Sequence, residues 1–217
     1  MIKAVIFDLD GVVVDTAKFH FVAWNDIAKQ FGFEISSHQN EQLKGVSRIK
    51  SLDLILEWGH IKLSQEQKTL LLNQKNEAYL AAINLLNKTD ILPGILEILT
   101  YLKSKNIPVA LGSASKNALP ILQKLGISTL FNVIVDGNIV QKAKPDPEVF
   151  MQAANKLHVL PKHCLVIEDA KAGIDAANNA KMTSIGIGNK EILINASYVL
   201  EDTSKLSKKF IDELLKN

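Results

Sequence analysis

Residues 7–16 read FDLDGVVVDT, at the exit of the apolar run Ala4-Val5-Ile6-Phe7. A run of this kind reads as a buried strand, yet Asp8 and Asp10 stand at its end. A carboxylate beside a buried apolar segment has to be paired, bound to a metal or used in chemistry. Short apolar runs of the same kind recur at 108–113 (PVALGS), 132–137 (NVIVDG), 164–169 (CLVIED) and 183–188 (TSIGIG). Helical patterns separate the later ones. In GILEILTYLKSKN the residues Ile95, Ile98, Leu99 and Leu102 share one face at helical spacing. KNALPILQKLG closes on Gly126 as a C-cap, with Pro120 either in its first turn or bending it. Strands alternating with helices predict an α/β fold, a Rossmann-like parallel sheet flanked by helices and joined by right-handed crossovers.

About a hundred residues separate the first two strands, far more than a crossover needs. Residues 17–88 lack strand patterns and read as helical. Phe19, Ala23, Ile27 and Phe31 make a stripe, with His20 and Trp24 beside it. The expected organisation is a catalytic core of residues 1–16 and 89–217 and a helical cap of residues 17–88. Hinges fall near 14–17 and 86–92.

The 217 residues, 47% hydrophobic, suffice for a large core. Lys+Arg number 25 against 23 Asp+Glu, so composition gives no sign of nucleic-acid binding. Cys164 is the only cysteine and excludes an internal disulfide, which fits a reducing compartment. No segment has the ~18 apolar residues of a membrane span, and acids interrupt the N-terminal apolar run too early for a signal peptide. A cytoplasmic monomer acting on small molecules is expected, with no nucleic-acid or membrane partner.

Ligands of an open parallel sheet bind beyond the carboxyl ends of its strands. There the chain places Asp8 and Asp10, the loop SASKN from Ser113 to Asn117, Lys144, and Glu168 with Asp169. Acids suit a hard cation such as Mg²⁺; a lysine and a serine beside it suit a phosphoryl group. Asp8 is then a nucleophile that forms an aspartyl-phosphate, and Asp10 a general acid and base. Each motif alone has an ordinary reading, as a turn or an N-cap. Their order after successive strands makes accident a poor explanation. On the residues alone Trp24 is equally a core residue, and the favoured reading of Arg48 and Lys75 is as solvated helix charges. His60, His158 and His163 have no partner motif, Cys164 is an apolar filler, and GIGNK (186–190) lacks the third glycine and the helix of a dinucleotide site.

DLDG followed by Asp15-Thr16, then SAS, KPDPEVF and EDAKAGI, resembles the haloacid dehalogenase-like phosphotransferases. HFVAWNDIA, NEQLKGVSR, QKNEAY, DILPGILEIL and SASKN extend the likeness, through the cap, to the sugar-phosphate mutases of that family. The resemblance implies one Mg²⁺ held by Asp8, the Asp10 backbone carbonyl and Asp169, with Glu168 nearby. It implies that Ser113 and Lys144 hold the transferring phosphoryl group and that Arg48, Ser115, Lys116 and Asn117 grip the distal phosphate. His20, Trp24, Gly45, Val46, Ser51, Lys75 and Asn76 would shape the sugar site, and Thr16, at the hinge, would support Asp10. The implied reaction interconverts β-D-glucose 1-phosphate and β-D-glucose 6-phosphate through β-glucose 1,6-bisphosphate. Two other functions are compatible with parts of the pattern. A sugar-phosphate phosphatase would use the same scaffold and let water attack. A signalling receiver would carry its phosphorylated aspartate after the third strand, where only Asp136 stands. In VDGNIVQKAKP the residues before Lys144 include none expected to be catalytic.

Overall fold

The computed structural model describes residues 1–216. Its centre is a sheet of six parallel strands: β1 (Ala4–Phe7), β2 (Val109–Gly112), β3 (Val133–Val135), β4 (Cys164–Glu168), β5 (Thr183–Ile187) and β6 (Tyr198–Leu200). Their spatial order is β3-β2-β1-β4-β5-β6, so the order reverses beside β1, where a doubly wound sheet opens its ligand crevice. β1 lies between β2, with Phe7 opposite Leu111, and β4, with Phe7 opposite Ile167. Alternation then sorts its side chains. Val5 and Phe7 enter one apolar cluster, and Ala4 and Ile6 enter the other. A strand buried on both faces needs apolar residues at every position, which explains the unbroken AVIF.

Helices α1 (Ala17–Lys29), α2 (Ser37–Leu43), α3 (Arg48–Trp58) and α4 (Gln65–Ile83) follow β1. Ser36, Ser47 and Ser64 cap α2, α3 and α4 with their hydroxyls, and Gln39 and Gln67 complete capping boxes at the first and last. Trp24, Ile27, Ile35, Leu52 and Ile55 build a small core of their own. On α1 the buried residues are Ala23, Trp24, Ile27 and Ala28; the stripe is rotated from the expected one toward Trp24, and Phe31 lies beyond the helix. α4 buries Lys75, Tyr79 and Ile83 at four-residue spacing.

The two chain segments that lead into and out of these helices run side by side. Val14 bridges Ile91 in antiparallel register, Asp15 N–H donates to the Asp90 carbonyl at 3.0 Å and Leu92 N–H to that of Val13 at 3.1 Å. The rest of the core adds α5 (Ile95–Ser104), α6 (Ala118–Lys124), α7 (Glu148–Lys156), α8 (Lys171–Asn179) and α9 (Lys208–Lys216). Two of these elements lie outside the sequence expectations. β6 is a three-residue edge strand with Tyr198 exposed, too short to give an alternation signal, and α9 follows it. No helix of the described residues is long and apolar enough to cross a membrane.

Candidate active site

The ends of β1 and β4 are adjacent in the sheet, so Asp8 and the pair Glu168-Asp169 emerge side by side. One ligand oxygen from each of Asp8, Glu168 and Asp169 lies within 4.8 Å of the others. Two glycines make that convergence possible. A Cβ on Gly11, whose φ is +79°, would fall 2.3 Å from Asp169 Oδ2, and one on Gly173 would fall 2.0 Å from the Glu168 carboxyl carbon. The glycines of DLDG and of AKAGI are therefore spatial requirements of the acids they approach.

Lys144, 3% exposed, reaches under this cluster. Its Nζ donates to Asp8 Oδ1 at 2.5 Å and to Glu168 Oε2 at 2.8 Å, while Glu168 Oε1 accepts from Ala170 N–H at 3.1 Å. Burial pushes the Asp8 carboxyl up to about 6; Lys144 opposes this, and Asp10 and Asp169 add to it. Burial also raises Glu168 and Asp169, reinforced by Asp8 for the first and by Glu168 for the second. Burial disfavours the Lys144 ammonium, but Asp8 and Glu168 outweigh it and hold the group protonated. Two buried carboxylates, Asp8 and Glu168, thus share one ammonium, with the part-buried Asp169 beside them. An oxygen-only donor set with surplus negative charge fits a hard divalent cation.

Asp10 faces elsewhere. Its Oδ1 accepts from the Thr16 hydroxyl and, at 3.3 Å, from the Tyr79 hydroxyl; His20 Nε2 is 3.5 Å away. The Asp10 carboxylate is therefore not one of the clustered acids. Burial would raise Asp10, yet His20, Thr16 and Lys75 outweigh it and keep the group below its ordinary value. Its partners come from α1, α4 and the entry to α1, so the inserted helices orient a carboxylate of the core. Asp8 and Asp10, two residues apart, thus have opposite environments: burial raises the first, and its cationic and hydroxyl partners hold the second down.

Above the acids lies a cavity of about 460 Å³ between the sheet and the inserted helices. Of the residues singled out in the sequence, Asp8, Asp10, His20, Trp24, Gly45, Val46, Arg48, Ser51, Lys75, Ser115, Lys116, Asn117 and Asp169 line it. Trp24 is at once core and wall. Lys75 is only 2% exposed, not a solvated charge. It bonds His20 Nδ1 at 2.7 Å and stands over the rings of Trp24 and Tyr79. Burial and the nearby Arg48 pull it down to about 7, against Asp10. Ser113 is buried, its hydroxyl accepting from Ser115 N–H at 3.0 Å. Asn76 Oδ1 accepts from Asn117 Nδ2 at 3.3 Å, joining α4 to the loop after β2.

Two participants were not singled out in the sequence. Tyr79 lies four residues after Lys75 on the same helical face, a spacing that could have found it. Lys44 precedes Gly45 and places Nζ 3.6 Å from Asp169 and 2.9 Å from Glu41; no local pattern signals that pairing. The stretch before Lys144 also contributes to the wall, through Gly137, Val140, Gln141 and Ala143. Asp136, the aspartate a receiver domain would phosphorylate, instead accepts from Asn138 N–H at 2.9 Å in a local turn. His163 bonds the Met1 carbonyl, and Cys164 is buried.

A doubly wound sheet with DLDG at its first strand end, a lysine under the acids and a helical insertion above them defines a class, and the chain belongs to the haloacid dehalogenase-like hydrolase family, whose sequence profile matches residues 2–181. Within it, the chain is 44% identical to the β-phosphoglucomutase of Bacillus subtilis over 97% of its own length and 94% of that protein. It is 32% identical to the phosphorylated carbohydrates phosphatase of Thermotoga maritima, over 84% of this chain and 83% of that one. The crystal structure of β-phosphoglucomutase from Clostridium difficile superposes with a TM-score of 0.94 at 46% identity, covering 100% of this chain and 98% of the other. The family and fold expected from the motifs are those found.

Proposed function

We propose that the protein is a β-phosphoglucomutase, interconverting β-D-glucose 1-phosphate and β-D-glucose 6-phosphate through an aspartyl-phosphate on Asp8 and β-glucose 1,6-bisphosphate. The observation that carries this reading is a single cavity whose lining holds Asp8 and Asp10 together with Arg48, Ser115, Lys116 and Asn117. A mutase has to hold one phosphate at the reacting centre and another away from it. The similarity to named β-phosphoglucomutases over nearly the whole chain supports the same reading.

In this mechanism Lys144 holds Asp8 Oδ1 and leaves Oδ2 to attack phosphorus. The bond from phosphorus to the sugar oxygen breaks as the new one forms, and Asp10 gives its proton to the departing oxygen. In the reverse direction Asp10 takes a proton from a sugar hydroxyl, whose oxygen attacks the aspartyl-phosphate and frees Asp8. The bisphosphate turns over between the two transfers so that either phosphate meets Asp8. Asp8, Asp169 and the Asp10 carbonyl, with Glu168 behind, would hold Mg²⁺, which supplies positive charge to the phosphoryl oxygens. Ser113 and Lys144 steady the transferring group, and His20, Trp24, Gly45, Val46, Ser51, Lys75 and Asn76 surround the sugar.

Residues 17–88 act as a cap hinged at 14–17 and 86–92. Water competes with the sugar for an aspartyl-phosphate, and closure of the cap excludes it. The contacts of Asp10 with Tyr79 and His20 give closure a second effect: the proton carrier is aligned only when the cap is in place. The protein works as a cytoplasmic monomer on small sugar phosphates. The Thermotoga phosphatase keeps hydrolysis as the second reading. ³¹P NMR of the protein with Mg²⁺, β-glucose 1-phosphate and a trace of bisphosphate separates the two. Glucose 6-phosphate is expected from wild type and no turnover from Asp8→Asn; inorganic phosphate as the main product would overturn the mutase.

A further inference from the structure

The stretch 137–143 was expected to carry no chemistry, yet it walls the cavity on the core side. It is anchored at both ends. Gly137 N–H donates to the Ser115 carbonyl at 3.2 Å and Asn138 Nδ2 to that of Lys116 at 2.9 Å. At the other end, the Glu148 carboxylate accepts from Gln141 N–H at 3.1 Å and from Lys142 N–H at 2.7 Å. Gln152 Nε2 donates to the same carboxylate at 2.8 Å. The backbone donors from Gln141 and Lys142 hold Glu148 below its ordinary value. Glu148 is the first residue of α7, where a negative side chain is also favoured by the helix dipole.

A sugar offers hydroxyls, which call for neutral donors and acceptors. Most of the neutral polar side chains around the cavity are already committed. Ser51 donates to the Ser47 carbonyl, Thr69 to that of Gln65, and Asn117 to Asn76. Among the described residues the cavity-lining amides without a hydrogen bond inside the protein are Asn40, Asn73 and Gln141. The first two lie on α2 and α4. Gln141 is the free amide on the core side, and its backbone is fixed before a ligand arrives.

Resting on the mutase reading, we infer that Gln141 is a specificity-determining residue that hydrogen-bonds a hydroxyl of the bound hexose phosphate, and that Glu148 is its positioning residue. A fixed backbone lowers the ordering cost of binding through a long side chain. The test measures KM and kcat for β-glucose 1-phosphate, its deoxy analogues and acetyl phosphate, using wild type, Gln141→Ala and Glu148→Gln. One neutral hydrogen bond corresponds to a KM increase of roughly 3- to 10-fold for Gln141→Ala. Acetyl phosphate hydrolysis, which has no sugar to read, should be unchanged. The penalty should vanish for the one deoxy analogue that lacks the hydroxyl being read, a result no general loosening of the loop produces. Glu148→Gln should raise KM in the same direction, with kcat kept. The inference fails if KM stays at the wild-type value, if both substrates suffer equally, or if every deoxy analogue shows the same penalty. Failure of the mutase reading is visible separately, as a wild type that interconverts no hexose phosphate.

Discussion

Arg48 offers the sharpest test of the proposed mutase. It is the first residue of α3, where a positive side chain meets the positive end of the helix dipole. Burial lowers its guanidinium from the ordinary value, and no carboxylate pairs with it among the described residues. Lys75, also cationic when protonated, adds to the local positive charge. A half-buried arginine at a helix N-terminus with no anion is poorly placed for stability and well placed to receive a phosphate. Arg48→Ala should therefore leave thermal stability unchanged or slightly higher. A charge-assisted hydrogen bond contributes about 1.5–3 kcal/mol, so loss of the grip should reduce kcat/KM for β-glucose 1-phosphate by about 10- to 150-fold. Coupled detection of glucose 6-phosphate reads that activity. Acetyl phosphate hydrolysis in the same preparation reads Asp8 chemistry without a distal phosphate and should change by less than about twofold. Equal loss of both activities, or loss of neither, would refute the grip and with it the division of the cavity into two phosphate positions.

Asp10→Asn should keep the fold and the nucleophile but lose proton transfer, reducing sugar-phosphate turnover by ~10²–10⁴-fold; a loss below about tenfold would make Asp10 an orienting residue only. Lys75→Met should abolish most turnover yet stabilise the fold near neutral pH. Unfolded lysine holds its proton up to about 10.5 whereas native Lys75 releases it at about 7. Wild-type stability from this group therefore falls as pH drops from about 10.5 to 7 and is flat below. Urea melts should show the variant's advantage at pH 7 shrinking by pH 9, and an advantage that grew with pH would reverse the argument. Gly173→Ala forces a methyl group against the Glu168 carboxyl and should cost about 1–3 kcal/mol of stability while disturbing Lys144. Wild-type stability together with wild-type activity would show that the acid cluster tolerates the displacement.

What the sequence determined by itself is what local periodicity and strand-end chemistry carry. AVIF, PVALG and CLVI read as strands because each is an unbroken run without a polar side chain, as a doubly covered sheet requires. DLDG, SASKN, KPDPEVF and EDAKAGI read as one site because carboxyl ends of parallel strands gather on one rim. The edge strand Tyr198–Leu200 escaped this reading, being three residues long and part exposed. Only the tertiary structure decided which groups meet. Lys144 lies between Asp8, 136 positions before it, and Glu168, 24 after it. That pairing depends on β1 and β4 being neighbours, which no window of sequence contains. Tyr79 reaches Asp10 across 69 positions, Lys44 reaches Asp169, and Glu148 turns the plain segment around Gln141 into a fixed wall. Hydrogen bonds and ion pairs act over a few ångströms in space, and only the strand order and the packing of α1 on α4 bring such distant residues within that range.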